Sequence, residues 1–372
     1  MKDTVFQTLL KPLSKEFINE GVQQFNSDYD CESFDTRTHL IAMIYAQIHQ
    51  LNSLRTLEAG INDQKIGLKN KISRSTLSDA NRRRSPDCFY WILEKLLEHL
   101  PKKKCKPIKK IIKVLDSTPI VLKGKGFDEW AKEYANDQWQ GIKLHTEYDL
   151  GLSSVTRVLT SYANLNDCSV GQKWPIIKDA IYVFDRGYVD FNWWWSIHQQ
   201  SAFFVTRFRK NTSIVIEHQK KVLNETILAD ETFKFKNANP RGGKKNLYSE
   251  SLRRIHVFRE DKDPLILVTN IHDLSAETIA RLYKDRWAIE LFFKWIKQNL
   301  KIKKFLGKSE SAVKIQIATA LIAYVLLILF KIFANDKRNL YLILSWIRCN
   351  PNIKFYHKKT VPPRRQASLW RL

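Results

Sequence analysis

The stretch YKDRWAIELFFKWIKQNLKIKKF, residues 283–305, decides how this chain is read. It reads as a helix with charges threaded between its aromatics. At about 100° per residue, Arg286, Glu290 and Lys297 fall within about 60° of Tyr283, so four polar groups share one narrow stripe. Ile289, Leu291, Phe292, Phe293 and Ile296 spread around the other faces. A helix apolar on most sides is buried or nearly so, and a carboxylate carried inward needs a cation or a metal beside it. Two readings are open. One is an intrahelical ladder of Arg286, Glu290, Lys294 and Lys297. The other is one side of a functional site.

Two more carboxylates bear on that choice. Asp116 ends the apolar run in KVLDSTP, and Asp185 ends the run in YVFDRGY. A strand apolar on both sides is a central one. A carboxylate at its C-terminal end emerges at the sheet edge, where open α/β sheets hold their ligands. Strand-end aspartates also cap turns, so each alone says little. Together the three suit Mg²⁺, which takes a few carboxylates plus water and phosphate oxygens. Two such ions about 4 Å apart can activate an attacking oxygen and stabilise a leaving one in phosphodiester displacement. The basic residues of the stripe would meet phosphate, and the Tyr283 hydroxyl can donate to a phosphate oxygen. No P-loop, dinucleotide fingerprint or zinc signature competes.

Composition points to the same partner. The 372 residues carry 62 Lys and Arg against 38 Asp and Glu, a formal charge of +24. Such an excess repels itself unless a polyanion is bound. Nucleic acid is the commonest, with an anionic membrane surface as the alternative. The five scattered cysteines never pair as C-x-x-C, which argues for a reducing compartment and against a disulfide framework or structural zinc. IQIATALIAYVLLILFKIF, residues 315–333, has 16 uncharged residues before Lys331. That is short of the ~20 that a span needs, so a buried core helix is expected and no membrane partner.

Along the chain, residues 1–105 read as helical and close on the basic, proline-bounded PKKKCKPIKK. Short strands follow, with β-like pieces over about 211–264, and residues from Ser275 onward read as helix. The 334–372 region ends in a loose, polar tail. In the N-terminal helices, Lys69, Lys71, Arg74, Arg82, Arg83 and Arg84 are candidate DNA contacts, or else a solvated charged helix end.

At this point the residues resemble a known family. Tyr283-x2-Arg286-x3-Glu290-x6-Lys297 is similar to the signature of the insertion-sequence-4 family of DDE transposases. LDSTP, GIKLHTEYD, FDRGYVDF, FFVTR, RLYKDRW and SESAVKIQI resemble that family's successive blocks, in order, over roughly residues 5–345. SRSTLSDAN resembles its helical DNA-binding region.

The resemblance implies an α/β fold: a ribonuclease-H-like catalytic core over 106–333 with a β-rich insertion at about 211–264. A helical N-terminal DNA-binding domain (1–105) and a helical C-terminal region (334–372) complete it. It implies that Asp116, Asp185 and Glu290 are catalytic and bind two Mg²⁺ ions, with Mn²⁺ as a substitute. Tyr283, Arg286 and Lys297 would contact DNA, with Lys294 beside them and Arg207 of FFVTR as a further candidate. His145 could face the metal pocket or be a packing histidine. The reaction implied is cut-and-paste transposition with a hairpin at the excised end. Its partners would be double-stranded DNA, as terminal inverted repeats and target, and a second copy of the chain in the DNA complex. The expected location is the cytoplasm, at the nucleoid when bound. An inactive or repurposed DNA-binding protein and a stand-alone nuclease are the alternatives.

Two positions depart from the family pattern. No tryptophan lies between Trp195 and Trp287, so a residue stacking on a flipped base would have to be Phe233, Phe235 or Tyr248. Asn166 stands where relatives often carry histidine. The WWW at 193–195 is expected to pack behind the second aspartate.

Overall fold

The computed structural model describes residues 3–31, 33–63, 71–101, 105, 108–131, 140–221, 225–239, 245–350 and 353–355. Six helices come first: α1 (Val5–Leu9), α2 (Lys15–Phe25), α3 (Thr36–Ile48), α4 (Leu54–Asp63), α5 (Arg74–Arg83) and α6 (Asp87–Glu98). Then come β1 (Ile112–Leu122), β2 (Gln140–Asp149), β3 (Ser154–Tyr162), α7 (Asp167–Gly171), β4 (Ile181–Phe184), α8 (Phe191–Gln199) and β5 (Phe203–Arg207). Four more strands follow: β6 (Ile214–Lys220), β7 (Ile227–Phe235), β8 (Leu252–Val257) and β9 (Leu265–Thr269). The chain closes with α9 (Ala276–Asp285), α10 (Trp287–Asn299), α11 (Glu310–Phe333) and α12 (Leu340–Cys349).

The chain divides into two compact units. One comprises Met1–Leu100, Ile120–Ile142 and Phe293–Leu372; the other comprises Pro101–Pro119 and Lys143–Phe292.

In the first unit, short polar side chains start the helices. Ser14, Asp35 and Ser73 each accept the amide three residues on, which satisfies a donor that the helix itself cannot. α11 is apolar all round and buried, packed against α3, α5 and α6. It is the one helix among the described residues long and apolar enough to cross a membrane, yet it sits as a core helix. The sequence reading places α11 within 106–333, whereas its packing partners are the N-terminal helices. α3 is buried on nearly every side, so its polar groups need partners. His39 Nε2 bonds Asn81 Oδ1 at 3.0 Å, and Gln47 Oε1 accepts the Lys301 amide at 2.7 Å.

The second unit is built on a nine-stranded sheet of order β3-β2-β1-β4-β5-β9-β8-β7-β6. β1, β4 and β5 run parallel. β9 joins β5 antiparallel, and β8, β7 and β6 continue outward antiparallel. The order β3-β2-β1-β4-β5 is that of the ribonuclease-H-like core. The β-like stretch at 211–264 extends this sheet through β9 and forms no separate layer.

α8 explains the tryptophan run. Trp193 and Trp194 are buried against Phe184 and Phe204, with centroid separations of 5.0 Å for Phe184–Trp193 and Trp194–Phe204. Aromatic side chains bury about 150–250 Å² each, worth about 4–6 kcal/mol at 25 cal/mol per Å². This packing fixes the strand that carries the second aspartate. Trp195 is half-buried against Tyr248.

Candidate active site

The parallel register brings the first two acids together. Leu115 on β1 pairs with Phe184 on β4, so Asp116 and Asp185 are the next residues on neighbouring strands. Neighbouring strands lie about 4.8 Å apart. β1 continues past Asp116, and β4 ends just before Asp185. Asp185 then caps a 3₁₀ turn (Arg186–Tyr188), its Oδ1 accepting the Gly187 amide at 2.7 Å. A β-carbon at Gly187 would lie 3.0 Å from that oxygen, so the turn has little room for a side chain. Asp116 Oδ1 accepts the Ser117 amide at 2.9 Å. Burial pushes the Asp116 carboxyl up to about 7, outweighing the pull of Arg286 and the Ser117 amide; Asp185 and Glu290 add to the rise.

The helical stretch departs from its sequence reading. It is two helices: α9 ends at Asp285 and α10 begins at Trp287. Arg286 stands at the junction, where the Arg286 and Ile289 amides reach back only three residues, to Tyr283 and Arg286 carbonyls. These tighter bonds replace the four-residue ladder and re-aim the chain. Tyr283 therefore belongs to α9 and Glu290 to the first turn of α10. The stripe expected of a single continuous helix does not hold across the junction, but its first three members still meet.

Arg286 is their centre. Its Nη1 donates to Asp116 Oδ2 at 3.0 Å, and its Nη2 donates to Glu290 Oε1. Its guanidinium carbon lies 5.8 Å from the Tyr283 ring centroid. Its Nε is buried and finds no acceptor among the described residues. Tyr283 is itself buried. Burial pushes its phenol up against the pull of Arg286 and Arg207, which keeps the hydroxyl a donor at neutral pH.

Among the described residues no three His, Cys, Asp or Glu side chains stand close enough to hold one metal ion. Arg286 lies between two of the acids and supplies the local positive charge. The residues nonetheless suit a hard divalent ion. The donors of Asp116, Asp185 and Glu290 are all carboxylate oxygens, the ligands that such an ion takes.

The other predicted residues fall differently. Arg207, at the end of β5, follows Thr206, which pairs with Phe184, so it lines up beside Asp185. His145 is buried, with Nε2 2.8 Å from Ser161 Oγ and Nδ1 3.5 Å from Asp167 Oδ1. Burial pushes it down to about 4. It is a packed histidine in the Lys143–Asp167 cluster. Asn166 caps α7, its Oδ1 accepting the Cys168 amide at 2.8 Å, which gives that departure a structural role. Lys294 and Lys297 belong to the helical unit, where burial lowers the Lys297 amine.

In the same unit Lys71, Arg74, Arg82 and Arg83 are exposed, with Arg82 bonded to Asp79 at 3.0 Å. Lys69 lies outside the described residues. Arg84 turns inward instead: it is buried, donates to the Phe34 carbonyl and stands 3.7 Å from Asp28. Its guanidinium over the Phe34 ring makes it a packing anchor and removes it from the solvent-facing set.

Of the proposed stacking residues, Phe233 and Tyr248 are buried in the core, and Phe235 packs on Phe191 at 4.5 Å. An exposed aromatic, Trp287 at 58% exposure, stands three residues before Glu290 on α10, with Leu291 at 54% one turn on. Composition and spacing gave no signal for this pair, because the surrounding helix reads as buried.

Comparison with known proteins agrees with the fold. The profile of the family described as "Transposase DDE domain" matches residues 107–326, and a family described as a domain of unknown function matches residues 1–70. A protein of Sinorhizobium fredii named as a transposase is 37% identical over 256 residues, 68% of this chain and 69% of that protein. A Geobacillus stearothermophilus protein named as a transposase for insertion sequence element IS5377 is 33% identical over 225 residues, 59% of this chain and 56% of its own. A Synechocystis protein named as a transposase for insertion sequence element IS4SA is 27% identical over 267 residues, 69% of this chain and 71% of its own. Among solved structures, that of a piggyBac transposase synaptic complex with hairpin DNA aligns with a TM-score of 0.51 at 9% identity. It covers 98% of this chain and 80% of that one, a likeness of fold.

Proposed function

This chain belongs to the DDE transposase family and is an enzyme acting on DNA, and from that premise we propose that Asp116, Asp185 and Glu290 are its catalytic acids. The observation that carries the assignment is the convergence of three separate elements. Strand register sets Asp116 beside Asp185, and Arg286 ties Asp116 to Glu290.

The three acids would hold divalent ions, two Mg²⁺ with Mn²⁺ as a substitute. Such ions supply an activated oxygen nucleophile and stabilise the leaving oxygen. The protein's part is to fix and neutralise. Asp185 is held by the Gly187 amide, and Asp116 by the Ser117 amide. Arg286 holds the acids together before DNA arrives. Its guanidinium charge and the Tyr283 hydroxyl beside it suit a phosphate oxygen.

The reaction is cut-and-paste transposition: cleavage at terminal inverted repeats through a hairpin end, then strand transfer into target DNA. Lys71, Arg74, Arg82 and Arg83 serve end recognition within a DNA-binding segment at 1–105, with Lys294 and Lys297 as further contacts. The catalytic domain is 106–333, followed by the 334–372 region. Two copies assemble on DNA, in the cytoplasm at the nucleoid.

The test uses the purified chain and a duplex spanning the junction between the element's terminal repeat and its flank. Nicking at the junction with Mg²⁺, abolished by EDTA, is expected. Undiminished cleavage in EDTA would overturn the metal mechanism.

A further inference from the structure

The acidic sheet edge has a basic neighbour. Beyond Asp185, the C-terminal end of β5 and the turn between β8 and β9 form a cleft of 490 Å³. Arg186, Arg207, Arg209, Lys210 and Arg259 line it, and Asp263 is the one acid among its lining residues. The cations come from three separate segments: the turn after β4, the end of β5 and residues 259–263. The cleft lies within two strand spacings of Asp185, roughly 10 Å.

Its internal pairing is incomplete. Lys210 Nζ stands 3.0 Å from Asp263 Oδ2. Arg259 spends its donors on the Asp263 backbone carbonyl, Nε at 2.8 Å, and this fixes the turn. Arg186, Arg207 and Arg209 form no ion pair among the described residues. Five cations against one acid repel each other unless an anion with several charged groups enters. The only aromatic lining residue, Phe208, is buried, so no ring is offered to a base. The chemistry fits a sugar–phosphate backbone.

We propose that this cleft is a second DNA subsite, taking backbone phosphates of the strand that flanks the reacting phosphate. Lys210 exchanges Asp263 for a phosphate oxygen when DNA enters. Calling that strand the flank rests on the catalytic reading of Asp116, Asp185 and Glu290; the phosphate subsite itself does not.

The experiment measures binding of the full chain to a short duplex by fluorescence anisotropy over a salt series without metal. Each lost phosphate contact lowers the slope of log K against log salt by about 0.9. Arg209→Ala and Lys210→Ala change exposed side chains. Each is expected to lower the slope by about one and weaken binding about tenfold. Asp263→Asn is expected to tighten binding. The exposed pair Lys173 and Lys178, outside the cleft, is the control, and its alanine variants keep the wild-type slope. Wild-type slopes for Arg209→Ala and Lys210→Ala overturn the proposal, as does an equal loss in the control. Cleavage by an Asp185→Asn chain would sink the catalytic reading and leave this binding result standing.

Discussion

Arg286 donates to Asp116 at 3.0 Å across 170 positions of sequence. The same guanidinium reaches Glu290 one turn into α10. A positive group between two proposed metal ligands competes with any ion for their oxygens. Arg286→Gln is therefore expected to bind Mn²⁺ about tenfold more tightly without DNA, the scale of one charged hydrogen bond. Cleavage should fall, because the phosphate contact is lost with the charge. Calorimetric Mn²⁺ titration checks the first part, and unchanged or weaker affinity would contradict it.

Asp116 gives the site a pH dependence. Its folded carboxyl is pushed up to about 7, chiefly by burial. Below that pH the acid holds a proton that an incoming ion must displace. Divalent affinity should rise with pH up to about 7, by at most tenfold per unit, and then level off. The same shift acts on stability. A folded value above the ordinary one means the native state keeps its proton while the unfolded chain loses it. The metal-free fold should thus weaken as pH climbs from about 4 to about 7, with no further change from this group above that. Melting temperatures of wild type and Asp116→Asn across that range test it: the difference between them should vary with pH in this window.

Gly187 leaves little room beside the second acid. A β-carbon there would press on Asp185 Oδ1 at 3.0 Å. Gly187→Ala should displace that carboxylate by a few tenths of an ångström. A 1 Å misplacement can cost about a hundredfold in rate, so a loss of about tenfold is expected. Single-turnover nicking rates measure it, with the melting temperature as a check that the fold survives.

Trp287, the residue after Arg286, is largely exposed. Stacking on a DNA base is worth about 1–3 kcal/mol. Trp287→Ala should weaken hairpin formation or end binding by that amount while leaving thermal stability nearly unchanged. A 2-aminopurine placed beside the cleavage point would report it: stacking quenches the probe in wild type, and the variant should not reproduce the change.

Much of this arrangement could be read in the residues. Apolar runs ending in aspartate marked Asp116 and Asp185, because central parallel strands need both faces apolar. The spacing of Tyr283, Arg286 and Glu290 marked a shared side. The break at Arg286 was not legible, since nothing local distinguishes a tightened turn from a continuing helix when no Pro or Gly is present. Arg84 looked identical to Arg82 and Arg83 in a run of three; only Phe34 and Asp28, distant in sequence, draw it inward. Phe233 and Tyr248 read as possible stacking surfaces because burial of an aromatic depends on what packs against it. The extension of the core sheet through β9 depends on long-range pairing with β5, which strand propensity does not encode.

Asp116, Asp185 and Glu290 are proposed to carry DNA cleavage together. Asp185→Asn keeps the shape of the turn and removes one charged ligand, so it separates catalysis from folding and binding. On a terminal-repeat duplex with Mg²⁺, Asp185→Asn is expected to bind as wild type does and to lose nicking. Nicking by Asp185→Asn at the wild-type rate would contradict it.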